Sequence, residues 1–190
     1  MVTLTNQSSS AEVLDGLLKD QENPSSNQNA EYWFGSTTYR GQSFTTGTDT
    51  LNIKDYKLYM KYRSGTSNIL YCDIYVSSND KPTGNSLGQA SITAISNTSF
   101  AWYKFTFSSA IILSASTKYV AVVSSPLSAS NAYIMGGDTL ESYNNGKTAG
   151  STDSGTTWTV NDGDLIFETY TYIYGISNQP LNTTTLTNQT

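Results

Sequence analysis

The period of this chain does most to limit what it can fold into. Tyr56, Leu58, Met60 and Tyr62 recur at every second position, as do Leu70, Cys72, Ile74 and Val76, then Tyr103, Phe105 and Phe107, then Tyr119, Ala121 and Val123, then Leu165, Phe167 and Thr169. Successive side chains of an extended chain point to opposite faces, so each run predicts a strand with one buried face. Turn chemistry separates the runs: Arg63-Ser64-Gly65, Asn79-Asp80-Lys81-Pro82-Thr83-Gly84, Asn144-Asn145-Gly146 and Asp162-Gly163. No amphipathic helical pattern lies between them. Short strands at these intervals predict an all-β fold, an antiparallel β-sandwich, and about eight strands make it jelly-roll-like.

The ends read differently. Residues 1–30 form an expected N-terminal anchoring segment and linker, residues 31–174 the sandwich, and residues 175–190 a polar C-terminal tail around Asn182-Thr183-Thr184-Thr185. Ser9-Ser10-Ala11-Glu12 has the form of a capping box, and Val13, Leu14, Leu17 and Leu18 fall on one helical face before Asn23-Pro24 stops the run. A short helix is the first reading of this extension. Gly16 weakens it, and a strand pairing with the body of the domain is the alternative. Leu14, Leu17 and Leu18 are the expected apolar anchor to another copy of the chain or to a larger particle.

Composition narrows the chemistry. The 190 residues include no histidine, which removes His-based triads and the commonest zinc ligand. The single cysteine, Cys72, lies on the inward phase of its run and reads as a small core residue. Only 13% of residues are charged and the net charge is -5, so clustered cations for a phosphate backbone are lacking and no nucleic-acid partner is expected. No apolar run approaches the roughly 20 residues that span a bilayer. Met1 to Gln7 lack the basic start and apolar stretch of a secretory signal, so export by that route is not expected unless a signal has already been removed. A surface rich in Ser, Thr, Asn and Tyr still matches proteins displayed outside cells. A displayed protein made without a signal fits a virus or phage particle released by lysis.

Several phrases look familiar. Gln42-Ser43-Phe44-Thr45-Thr46-Gly47, Ile74-Tyr75 followed by Lys81-Pro82-Thr83-Gly84, Trp102-Tyr103-Lys104-Phe105-Thr106-Phe107 and Thr117-Lys118-Tyr119-Val120-Ala121-Val122-Val123 together resemble the choice-of-anchor R type of β-sandwich domain. The resemblance covers about Gln42 to Tyr172 and departs from the pattern in the N-terminal segment. Such domains recur in phage structural proteins and bacterial surface proteins, and the resemblance implies a binding or display module without catalytic residues. Ser151-Thr152-Asp153-Ser154-Gly155-Thr156-Thr157-Trp158 resembles the Asp-box of sialidases, Ser-x-Asp-x-Gly-x-Thr-Trp, in which the box is structural. Its logic is local. The Asp153 carboxylate accepts turn N–H groups, Gly155 supplies a permissive backbone, and Trp158 packs the hairpin, with Ser151 and Thr157 completing the motif. An active sialidase also has three arginines that clamp a substrate carboxylate, whereas this chain has only Arg40 and Arg63.

Glycoside hydrolysis generally takes two carboxylates across a sugar bond, and Asp73, Asp138, Glu141, Asp162, Asp164 and Glu168 are the available acids. Their placement beside turns and along strands fits solvated acids and turn caps better than catalysis. Asn161-Asp162-Gly163-Asp164 offers oxygens to Ca²⁺ but lacks the spacing of an EF-hand loop, so a plain turn is the reading. No metal, cofactor or catalytic residue is expected. Aromatic rings are the best candidates for contact chemistry, because the C–H faces of sugars lie well on them. Trp102 reads as core, whereas Tyr133 and Tyr143, before the Asp-box, and Tyr32 and Trp33, before the first clear strand, are less committed to packing. The expected role is therefore a non-catalytic structural protein of a virion surface, a capsid decoration, head fibre or spike component. Its expected partners are its own copies, other virion proteins and a cell-surface glycan. The alternative is a carbohydrate-binding module of a secreted or cell-surface protein, and a glycoside hydrolase stands third.

Overall fold

A computed structural model describes residues 13–14 and 17–172. Its strands are β1 (Val13–Leu14), β2 (Leu17–Asn23), β3 (Ala30–Phe34), β4 (Tyr39–Thr45), β5 (Leu51–Tyr62), β6 (Leu70–Ser78), β7 (Lys81–Ile92), β8 (Ala101–Leu113), β9 (Lys118–Ser124), β10 (Tyr133–Asp138), β11 (Thr148–Ser151), β12 (Thr159–Asn161), β13 (Asp164–Leu165) and β14 (Phe167–Tyr172). A single 3-10 turn, Ser25–Asn27, is the helical content among the described residues, and no helix there is long and apolar enough to cross a membrane.

Eight strands carry the frame. Numbered in chain order as β2, β4, β5, β6, β7, β8, β9 and β14, the first, eighth, third and sixth lie side by side as β2-β14-β5-β8. The second, seventh, fourth and fifth form the other sheet as β4-β9-β6-β7, again all antiparallel. That order is a jelly roll, the expected architecture. The chain between the seventh and eighth strands holds β10 to β13. This insertion enlarges both sheets: β10 pairs with β3, β5 and β13 in the first, and β11 pairs with β4 and carries β12 in the second.

The core fills the space between the sheets. Phe44 sits 6.2 Å from the rings of both Tyr56 and Tyr119, and Tyr56 stacks on Phe167 at 5.7 Å. Cys72 is fully buried there, and burial pushes its thiol well above the usual range. Val76, though on the inward phase and opposite Tyr119 of β9, is 40% exposed at the end of the sandwich, where the β6–β7 register shifts. Trp102 is not core. Tyr103 faces the core from β8, so Trp102 faces away and packs on Tyr59 at 5.3 Å on the outer surface.

The N-terminal extension is strand where it is described, which replaces the helical reading. Leu17 stands opposite Tyr172 and Asn23 opposite Phe167, so β2 completes the edge beside β14. An open ladder of backbone donors and acceptors outweighs a helix already weakened by glycine. The first sheet thus begins within residues 1–30, through the strand that is the alternative reading of this segment. Leu17 is buried within this chain's own fold. Ser9 to Glu12, Gly16, the Leu14 side chain and the tail from 175 lie outside the described residues.

Candidate functional site

The second sheet turns a mostly uncharged face outward, and a trough of about 270 Å³ crosses it. Val122 and Ser124 of β9 and Asp73 and Tyr75 of β6 form its floor, since they are out of phase with the core residues Cys72, Ile74 and Val123 beside them. The β6–β7 hairpin raises one wall with Pro82, Thr83 and Gly84. Tyr39, Ser154, Gly155 and Trp158 raise the other. Asp73 is held in place by Gln89, whose Nε2 donates to both carboxylate oxygens at 3.1 and 3.0 Å, and by the Ser86 hydroxyl at 2.9 Å. Burial raises the pKa of the Tyr75 phenol, and the Asp73 carboxylate and the nearby Tyr39 phenol add to the effect.

The far wall depends on the turn between β11 and β12. Asp153 accepts the Thr157 hydroxyl at 2.6 Å, the Thr157 N–H at 2.9 Å and the Ser151 hydroxyl at 2.7 Å. Ser151 in turn accepts the Gly155 N–H at 2.9 Å. These bonds to the charged form, those from Thr157 first, hold the carboxyl down to about 2. Gly155 has a φ of 86°, and an added Cβ would stand 3.3 Å from the Tyr39 ring and 3.8 Å from the Trp158 ring. The Trp158 indole N–H donates to the Gly155 carbonyl at 3.0 Å, which pins the ring along the trough. Trp158 lies over Gly41 of β4, where an added Cβ would touch its ring at 3.6 Å and crowd Val120 at 3.0 Å.

The four aromatic residues expected at a ligand site are not brought together. Tyr133 is fully buried on β10, stacks on Phe34 at 5.2 Å, and donates its hydroxyl to the Asn68 carbonyl at 2.7 Å. Tyr143 is buried against Phe167 and donates to Gln21 at 2.8 Å. Both rings are therefore closed to a ligand: Tyr133 lies in strand β10, and Tyr143, in the loop after it, folds back onto the core. Tyr32 and Trp33 point to opposite faces of β3. Trp33 is 43% exposed, with the Arg63 guanidinium 4.5 Å over its ring, and Tyr32 is half-buried with its hydroxyl 3.2 Å from the Asp138 carbonyl. Neither lines the trough. Tyr39 and Tyr75 were not singled out from the sequence, although the phase of β6 already turns Tyr75 outward.

The acids are also dispersed. Asp138 and Asp164 face each other across β10 and β13, fully buried. Asp138 accepts from Asn23 at 2.7 Å and from the Leu140 N–H at 2.9 Å, while Asp164 accepts from Gln42 and from the Tyr143 N–H, each at 3.0 Å. Burial first, then the charges of Asp138 and Glu141, push Asp164 up to about 6 against those hydrogen bonds. Asp162 points outward, 3.6 Å from Lys147, so the Asn161–Asp164 turn does not converge its oxygens. Among the described residues no three His, Cys, Asp or Glu side chains gather as a metal site. Glu168, half-buried but bonded to Tyr170 and paired with Lys19 and Lys57, is held below its ordinary value. Among the described residues, Asp73 is the one acid lining the trough.

No protein-family model matches this chain, and no curated protein sequence matches it. The chemistry of the trough has to be read from its own residues.

Proposed function

We propose that this protein is a non-catalytic binding module that holds a glycan in the trough of its second sheet and is displayed on a virion surface. The observation that carries the reading is the convergence of Tyr39, Tyr75 and Trp158 beside Asp73, Gln89 and Ser86. Flat rings accept the C–H face of a sugar, and a buried carboxylate with amide and hydroxyl neighbours matches its ring hydroxyls. A single acid in the trough favours binding over hydrolysis, which needs a pair across the bond. A glycan microarray tests it. The wild type is expected to bind a subset of glycans unchanged over time, and Tyr75→Ala to lose at least tenfold in affinity with its melting temperature preserved. Release of reducing sugar that stops with Asp73→Asn would make the protein a hydrolase.

The virion assignment rests on the resemblance and on the weakly charged surface, and mass spectrometry of purified particles tests it. The same trough on a secreted or cell-surface protein is the alternative, in which case the chain is missing from particles. For self-assembly, the buried Leu17 makes a poor contact. The edge where β7 meets β8 is better, with Leu87 44% and Ile112 73% exposed around a groove of about 370 Å³. The groove residues themselves, 87–89 and 107–112, carry no charged side chain, and Lys54, on the Phe107 and Ser108 carbonyls, is the cation beside them, so the surface offered to a second copy is largely apolar. Ile112→Glu should shift sedimentation towards the monomer. A variant that sediments like the wild type removes this edge from the assembly.

A further inference from the structure

Behind the Ser151–Trp158 turn lies a second pocket of about 150 Å³, lined by Arg40, Gly150, Thr152, Thr157, Thr159 and Asn161. Register puts it together: Arg40 pairs with Gly150 and Gly150 with Thr159, so the three positions share one face of β4, β11 and β12. A Cβ at residue 150 would stand 2.4 Å from Arg40 Nη1, so the glycine leaves room for the guanidinium. Arg40 Nε donates to the Trp33 carbonyl at 2.9 Å, with the guanidinium 5.9 Å from the Tyr32 ring, which fixes the fork. Its two Nη groups have no hydrogen-bond or ion-pair partner among the described residues. The ion pairs there all use lysine, and Asp153, the acid on the adjoining turn, has its oxygens taken by Ser151 and Thr157.

Burial lowers the pKa of Arg40 with only the Tyr32 phenol opposing, and no Arg40 nitrogen is among the fully buried polar atoms left without a partner, so the fork is open to a ligand. An anion there would supply the charge partner that the described residues do not. We propose that this pocket is an oxyanion subsite, taking the carboxylate or sulfate of an acidic sugar whose neighbouring ring lies in the trough. It rests on the glycan reading of the trough. The two cavities share the turn as a wall, with Ser154, Gly155 and Trp158 on one side and Thr152 and Thr157 on the other. The Arg40 fork matches a planar carboxylate or two sulfate oxygens bidentately, and the Thr152 and Thr159 hydroxyls and the Asn161 amide supply further donors. The Thr157 hydroxyl is already engaged with Asp153.

Calorimetry with a neutral oligosaccharide, its uronic-acid counterpart and its sulfated counterpart tests this. The wild type should prefer at least one acidic form by tenfold or more, and the uronate and sulfate arms decide which group is taken. Arg40→Gln should erase that preference and leave affinity for the neutral form unchanged. Gly150→Ala, which displaces the guanidinium and keeps its charge, should weaken acidic binding alone and covers the case in which Arg40→Gln does not fold. Equal binding of all three sugars by the wild type, or an acidic preference that survives both variants, overturns the subsite and leaves the trough standing. Binding of none of the three overturns both.

Discussion

Asp153 and Asp164 both sit beside turns, and their surroundings push them in opposite directions. The three hydrogen bonds on Asp153 hold its folded pKa near 2, below the unfolded value of about 3.9. Its stabilisation is therefore complete above about pH 4 and lost as the pH falls towards 2. Asp153→Ala should lower the melting temperature at pH 7 by a few degrees, with the deficit shrinking as the pH falls from 4 towards 2. A deficit of constant size over that range contradicts the role given to the carboxylate. Asp164 has the other sign. Its folded pKa of about 6 lies above the unfolded value, so its contribution is greatest below about pH 4 and is lost as the pH rises through 6. In the wild type Gln42 and the Tyr143 N–H donate to separate Asp164 oxygens, and Asp164→Asn turns one of those acceptors into an NH2 donor that faces a donor. The variant should be less stable than the wild type at pH 4, and the gap should narrow by about 1–3 kcal/mol by pH 8, where the wild type holds a buried charge. Urea titrations at the two pH values read this directly, and a gap that does not narrow rules it out.

At the scale of elements, β2 and the β10–β13 insertion decide how the jelly roll is finished. Asn23, at the end of β2, donates to Asp138 at 2.7 Å and to the Leu165 carbonyl at 3.0 Å, and so ties the first strand to the insertion. Asn23→Ala should destabilise the fold by about 2–3 kcal/mol by chemical denaturation, because it strips a donor from a buried carboxylate. A loss under half that would mean the tie is dispensable. The period-two runs made the frame legible in the sequence: Tyr103, Phe105 and Phe107 face inward as their spacing demands. The same phase argument, applied to their neighbours, would have sent Trp102 outward and offered Tyr75 to a ligand. Tyr133 and Tyr143 were beyond its reach, since Tyr133 is on a short strand whose partners β3 and β5 lie far off in sequence, and Tyr143 is in a loop closed by Phe167 and Gln21. Pairing across such distances decides burial there, and local pattern does not record it. The turn at Ser151–Trp158 was legible because its bonds are local, whereas the Arg40 pocket was not, because strand register assembles it.

Over the whole molecule, the three tryptophans report on three separate surfaces. Trp158 lies in the trough, Trp33 stands under Arg63 at the β3 end, and Trp102 packs on Tyr59 outside the first sheet. Each indole N–H gives its own resonance, so one titration shows where a glycan sits. The most direct test of glycan binding in the trough is a ¹⁵N-labelled sample titrated with the strongest neutral hit from the microarray. The Trp158 indole signal should shift and saturate while that of Trp102 stays fixed. A saturating shift at Trp102 or Trp33 with Trp158 unmoved would contradict the account and put the ligand on another face.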